Sequence, residues 1–315
     1  MKKVVNVEVV QASRCIQTGK EIITLLLEYP RAIHAQLLTH RVFSKNSSST
    51  RAVPIEKAIQ QIEENPAQFL WTEKQKGMQG TLITEDDPLY QGAERIHSYA
   101  KESAVRMARC QDEAGIHKQN AGRYLEPFQN IKVLLTSTEW DNWDWLRVDA
   151  DAQPEITQLA NEIKLARENA VYTNLETDEW HIPFITRKRD AKGKLLYFHP
   201  DTNKELKLNE AIEISLSCNA QTSYRVNDTS ETKAKNIVGI LFDGKKVHAS
   251  PSEHIASPIG LIDTTGVGSF QEALDLLPEG VTHWDRKGTP WSGNFNRWLQ
   301  YRQLIPNHDG ALIHE

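Results

Sequence analysis

Between Thr39 and Pro54 the chain reads THRVFSKNSSSTRAVP. His40, Arg41, Asn46, Ser47, Ser49 and Arg51 supply fixed positive charge and many hydrogen-bond donors, the set that a phosphate or a polar heterocycle requires. A solvated Ser/Thr loop capping a helix would use the same residue types. Spacing has to decide between the two.

The elements around the stretch narrow the choice. Val4 to Val10 alternates as a strand, and Glu21 to Leu27 is a second, bounded by Tyr29-Pro30. Residues 31–40 predict a helix burying Ile33, Leu37 and Leu38. Pro54 opens a helix with Ile55, Ala58, Ile59 and Ile62 at helical spacing. Residues 89–114 predict the longest helix, with Ala93, Ile96, Ala100, Ala104 and Met107 along its inner side and Gly115 as its stop. Pro154 starts another, with Ile156, Leu159, Ile163 and Ala166 in register. From Trp180 to Leu208 the pattern becomes β-hairpins, with turns at Asp190–Gly193 and Pro200–Asn203. Asn236–Phe242 reads as strand or helix, Ser269–Leu277 as a short helix, and the stretch around Trp298 as an amphipathic helix. The fold class is α/β (α+β): a mixed sheet with packed helices and a β-hairpin insertion. No repeat or long linker divides it, so residues 1–315 read as one domain with a helical part (1–170), a β insertion (171–215) and a C-terminal segment (216–315).

Composition sets outer limits. With 25% charged and 39% hydrophobic residues, the chain has the balance of a soluble globular protein. A net charge of −5 argues against a general nucleic-acid or membrane binder. A nucleic-acid module using the aromatic and basic residues of 284–302 is a weak rival for the same reason. Cys15, Cys110 and Cys218 form no CxxC pair, which points to a reducing compartment and buried free thiols. MKKVVNVEVV lacks an apolar h-region and reads as a strand. No apolar run reaches the ~18 residues of a membrane helix. The expected location is cytoplasmic, and HASPSEH lacks the helical spacing of a metal site.

THRVFSKNSSSTR resembles the signature of the flavin-dependent thymidylate synthases (ThyX), written RHR, seven residues, then Ser. His40, Arg41 and Ser49 hold those places, with Gln36, Asn46 and Arg51 at the accompanying ones. GRYLEPF, with Arg123, Leu125 and Pro127, is similar to a second family segment. WDNWDWLRVDADAQPEI is similar to a third, through Asn142, Arg147, Ala152, Gln153, Glu155 and Ile156. HASPSEH (His248 to His254) resembles HxSPxEH, and AQTSY (Ala220 to Tyr224) the Ser-Tyr segment before it. These last two precede the signature in the family and follow it here, so the chain resembles a circular permutant. Permutation is physically cheap where termini lie close together.

The resemblance implies a homotetramer that uses FAD, NADPH and methylenetetrahydrofolate to transfer a one-carbon group to C5 of dUMP. The cofactors supply the hard chemistry and the protein positions and polarises. By position, Gln36, Ser49, Arg51, Arg123 and Arg147 would bind the nucleotide, with Ser49 and Arg147 nearest the reacting base. His40, Arg41, Asn46, Asn142, Ser223, His248 and Ser250 would line the flavin, and Glu253 would orient His248. Structural readings stand beside these. Arg147 could pair with Asp149 or Asp151, Arg123 with Glu126, and His248 and His254 could simply hold a loop.

The chain departs from the family at Thr39, where the first Arg of RHR stands, at Ser47 and Asn120, which replace acidic residues, and at Thr136 and Thr138, which replace flavin contacts. Activity on dCMP, a hydroxymethyl product, or nucleotide binding without catalysis are therefore alternatives. Arg302, in RWLQYR, is a candidate for the positive charge missing at Thr39.

Overall fold

The computed structural model describes residues 2–77, 79–223, 226–243, 246–262 and 269–310. Its centre is a five-stranded sheet in the order β3-β4-β2-β1-β5, from β1 (Asn6–Cys15), β2 (Glu21–Pro30), β3 (Ser44–Ser47), β4 (Asn130–Ser137) and β5 (Thr173–Leu175). The pairs are antiparallel except β1 with β5, and a bulge interrupts β1 between Val9 and Gln11.

β2 explains why EIITLLLEYP is almost continuously apolar. Successive side chains of a strand point to opposite faces, and both faces of β2 are covered. Ile23, Leu25, Leu27 and Tyr29 enter one core together with Ile156, Leu159 and Ile163, whereas Ile22 enters a second core with Phe295 and Trp298. A third core joins α2 (Ile55–Glu64, after α1, His34–Leu38) to α3 (Pro88–Glu113) and the 3-10 turn Gly122–Phe128. Further along come α4 (Lys118–Ala121), α5 (Asp141–Arg147) and α6 (Pro154–Glu168), the last lying on β1 and β2.

Most expected elements are present, and the hairpins form a meander of β6 (Thr186–Arg189), β7 (Leu195–Phe198) and β8 (Glu205–Leu206). Gly193 and Asn203 take the positive φ that their turns demand. The meander ends at Leu206, and α7 (Leu208–Ala220) and α8 (Glu231–Phe242) follow as helices.

Three expectations need correction. Residues 31–40 form only a 3-10 turn and the short α1, and Leu38 is exposed while Ile33 and Leu37 are buried. Of the expected stripe α3 buries Ala104, together with Tyr90, Val105 and Ala108, whereas Ile96 and Met107 are 71% and 49% exposed. Alanines spread around this helix give two competing inner faces, and packing against α2 selects one. The segment around Trp298 is not a helix. β9 (Ala256–Pro258) pairs with β13 (Trp298–Gln300), and β10 (His283–Trp284), β11 (Pro290–Ser292) and β12 (Phe295–Asn296) form a small sheet beside it. The alternation of buried Phe295, Trp298 and Gln300 serves a strand as well as a helix. Cys15 and Cys218 are buried and Cys110 is exposed; burial pushes the Cys218 thiol up to about 12. Among the described residues no helix is long and apolar enough to cross a membrane.

Candidate functional site

The signature residues fall into two neighbouring groups. Gln36, Thr39 and His40 stand at the end of α1, and Asn142 and Arg147 belong to α5. Arg147 Nε donates to His40 Nε2 at 3.1 Å and Nη2 donates to Thr39 Oγ1 at 3.4 Å. The Thr39 hydroxyl in turn donates to the Gln36 carbonyl at 2.7 Å. The His40 ring meets Trp143 edge-on at 4.9 Å and stacks near Phe43 at 5.8 Å. Burial, then Arg147 and Lys45, lower the His40 pKa, against an opposing hydrogen bond that the ring gives to Asn142. The Gln36 amide donates to Gln153 Oε1 at 2.6 Å, and Gln153 donates to buried Glu155 at 2.9 Å. Glu155 also accepts from the Leu70 backbone N–H at 2.9 Å, which satisfies a carboxylate only 3% exposed. Gln153 and Glu155 thus serve as the support behind Gln36.

The second group lies along β3 and the turn after it. The Asn46 amide donates to the Asn219 carbonyl at 3.2 Å, and the Ser49 backbone N–H donates to Ser223 Oγ at 2.8 Å. Ser49 Oγ accepts from the Arg51 N–H and caps the 3-10 turn Thr50–Ala52, leaving Arg51 exposed. Ser47 meets His34 Nε2 at 3.4 Å, and His34 Nδ1 meets the Tyr29 hydroxyl at 2.8 Å. Ser48, Ser49, Thr50 and Ser223 line a cavity of about 310 Å³ together with Arg31, Lys57 and Lys132.

Arg31 was not singled out from the sequence. Its Nε is buried without a hydrogen-bond partner, and burial lowers its pKa while Glu126 opposes the shift. Arg31 thus brings a cation with an unmet donor to the cavity wall, with Glu126 as its main compensating charge. The sequence signal that could have found it is its position directly after Pro30, at the end of the central strand.

HASPSEH, the other expected flavin segment, forms the 3-10 turn Ser250–His254, packed on β3, β4 and α7. His248 is exposed and its Nδ1 lies 3.3 Å from Ser250 Oγ. His254 is fully buried, with Nδ1 2.8 Å from Thr136 Oγ1. Thr136 also meets Thr24, Thr24 meets His181, and His181 meets Ser13, each within 2.9 Å. Thr138 accepts from the Asn296 backbone N–H at 3.0 Å. The two threonines at family flavin positions are therefore sealed inside the protein. Glu253 pairs with Arg302 and does not orient His248, so Arg302 is committed there and does not replace the charge absent at Thr39.

Arg41 is exposed beside the first group. Arg123 is exposed too and lines a separate open cavity with Gln111, Ile116, Asn120 and Tyr124. Its turn packs against Thr50–Ala52, which brings Arg123 and Arg51 onto neighbouring turns without joining their side chains to Arg147. Tyr224, the last residue of AQTSY, lies outside the described residues.

A mixed α/β scaffold thus presents an arginine corner and a hydroxyl-lined cavity with charges of both signs, Glu28 and Glu64 facing it beside Arg31, Lys57 and Lys132. Residues 21–169, which carry the arginine corner and most of the cavity lining, match the family model described as thymidylate synthase complementing protein. Among solved structures the chain is similar to a UMP/dUMP methylase, PolB, from Streptomyces cacaoi bound with 5-Br UMP. That similarity is 17% in identity, with a TM-score of 0.42, over 53% of this chain and 89% of the other. A search of curated proteins gives no match.

Proposed function

We propose that the chain is a pyrimidine nucleoside monophosphate C5 methyltransferase of the flavin-dependent thymidylate synthase kind, acting on dUMP. The observation that supports it best is the pairing of two anion-ready features on the family-matched segment: Arg147 held by neutral acceptors, and the cavity of Arg31, Ser48, Ser49 and Thr50. In this reading Ser49, Arg51 and Arg31 hold the dianionic phosphate, Arg123 on the neighbouring turn adds positive charge from its own cavity, and Gln36 orients the nucleotide. Arg147 stabilises charge that develops on a uracil oxygen when C5 attacks the one-carbon unit. Fixed donors in a site that excludes water are worth far more than in solution.

The residues fit a flavin on one side only. Asn46, Ser223, His248 and Ser250 are partly or fully exposed and would hold it with His40, Arg41 and Asn142, whereas Thr136 and Thr138 are closed off. FAD, reduced by NADPH, would supply the hydride that completes the methyl group, and methylenetetrahydrofolate the carbon. HASPSEH packing on β3 and β4 supports one permuted unit over 1–315, with 171–215 as an insertion. The exposed Ile96, Tyr99 and Met107 of α3 suit a face covered by another copy, in keeping with a cytoplasmic homotetramer.

One observation favours a second reading of the base. Where the family has an acidic residue, Ser47 meets His34, whose pKa is lowered to about 4, chiefly by burial. A neutral pair reads a different pyrimidine edge from a carboxylate, so dCMP is the competing substrate. The test is turnover followed by mass spectrometry, with FAD, NADPH and methylenetetrahydrofolate, and dUMP and dCMP in competition. A methyl gain on dUMP is expected. Gain on dCMP, or a hydroxymethyl product, would move the reading to the second activity, and absence of product on both would overturn it.

A further inference from the structure

Arg147 does not pair with its acidic neighbours. Asp149 accepts from the Asp151 backbone N–H and Asp151 from Gln79, and among the described residues Arg147 makes no ion pair. Its partners are two neutral acceptors, His40 Nε2 and Thr39 Oγ1.

Each acceptor is itself fixed. The Thr39 hydroxyl spends its proton on the Gln36 carbonyl, which leaves its lone pairs for the guanidinium. His40 Nε2 can accept from Arg147 only if the ring is neutral and carries its proton on Nδ1. Trp143 and Phe43 hold that ring in place. A carboxylate partner would also orient Arg147, but it would cancel most of the charge. Neutral acceptors orient the fork and leave the charge intact, together with the N–H groups that they do not use.

We propose that Thr39 and His40 are positioning residues for Arg147, holding its guanidinium, uncompensated and pre-aimed, for an oxygen of a pyrimidine nucleoside monophosphate. The ligand class rests on the function proposed above; the docking of Arg147 does not. Pre-organised charge of this kind lowers the reorganisation that binding or catalysis would otherwise require.

Two arms test the proposal on the full chain. In the first, histidine is labelled with ¹⁵N and the His40 signal is assigned by its loss in His40→Leu. A neutral ring protonated on Nδ1 at pH 7, with no ligand added, is expected; the opposite tautomer or a cationic ring overturns the docking.

The second arm measures dUMP affinity for Thr39→Val, Thr39→Ser, His40→Leu, Arg147→Ala and the double variant His40→Leu/Arg147→Ala, with melting temperature followed alongside. Thr39→Val and His40→Leu should each weaken binding several-fold to about tenfold, as loss of a charge-assisted hydrogen bond does, and Thr39→Ser should restore it. The double variant should bind no worse than Arg147→Ala alone, because residues acting through one another are non-additive. Additive losses, or losses that follow the melting temperature without rescue by serine, overturn the positioning role. If the wild-type chain binds no nucleoside monophosphate, the proposed function falls, while the tautomer still decides how Arg147 is held.

Discussion

The Arg147 corner and the C-terminal seam are both built from polar side chains, and they use them in opposite ways. In the seam, Gln300 is 1% exposed and its amide reaches Ser44 Oγ, Asn294 Oδ1 and the Glu253 carbonyl. Asn294 bonds the Val42 carbonyl and Ser44, tying the C-terminal strands to the signature strand. The amide donors of Gln300 and Asn294 are spent there on protein acceptors, while Trp298 Nε1 is buried without a partner. At the corner, Arg147 is half-exposed and keeps N–H groups to spare. Buried side-chain amides bonded to one another hold distant strands together, whereas a held cation with unused donors can still meet a ligand.

That contrast can be tested by the stability cost of breaking each region. The largest cost should come from Trp298→Ala, which empties a fully buried site in the second core; a loss of about 3–5 kcal/mol is expected in denaturant unfolding. Gln300→Ala should cost about 1–3 kcal/mol, because Asn294 and Ser44 lose a partner in a buried setting.

Acid should act on the buried chain of His181 and His254. Burial holds His181 well below its ordinary value and His254 down to about 3, so the unfolded chain binds more protons once the pH falls below about 6.5. Their contribution is full above that pH. It should decline towards pH 3 by up to about 1.4 kcal/mol per pH unit for each ring, measured as the pH dependence of unfolding. A flat profile between pH 6.5 and 4.5 would show that these rings are not held neutral.

The smallest effect on stability should come from Arg147→Ala, within about 0.5–1 kcal/mol, together with a clear loss of nucleotide affinity. A large destabilisation there would make the corner another piece of scaffold and erase the contrast.

Legibility from the sequence followed the range of the interactions. Glu21–Pro30, Ile55–Glu64 and Pro154–Glu168 were readable because apolar period, Pro starts and turn residues act within a few positions. The signature loop was readable by its spacing, and Gln36, His40, Asn142 and Arg147 do assemble. Arg31 was not, because its place after Pro30 marks only a strand end, and the cavity beside it is formed by distant segments. Neither was the inner face of α3, where alanine lines offered two solutions and α2 selected one. The C-terminal strands were missed because aromatic residues close together suit either period.

By itself, then, the sequence determined the alternation of elements and the match of residues 21–169 to the thymidylate synthase complementing protein model. Tertiary structure alone decided that Arg302 is committed to Glu253, that Thr136 and Thr138 are sealed, and that Arg147 is held by neutral partners. The physical reason is the same in each case. Periodicity and capping are set by neighbours in the chain, but the partner of a charge is set by which distant acceptor the packed fold brings within about 3 Å.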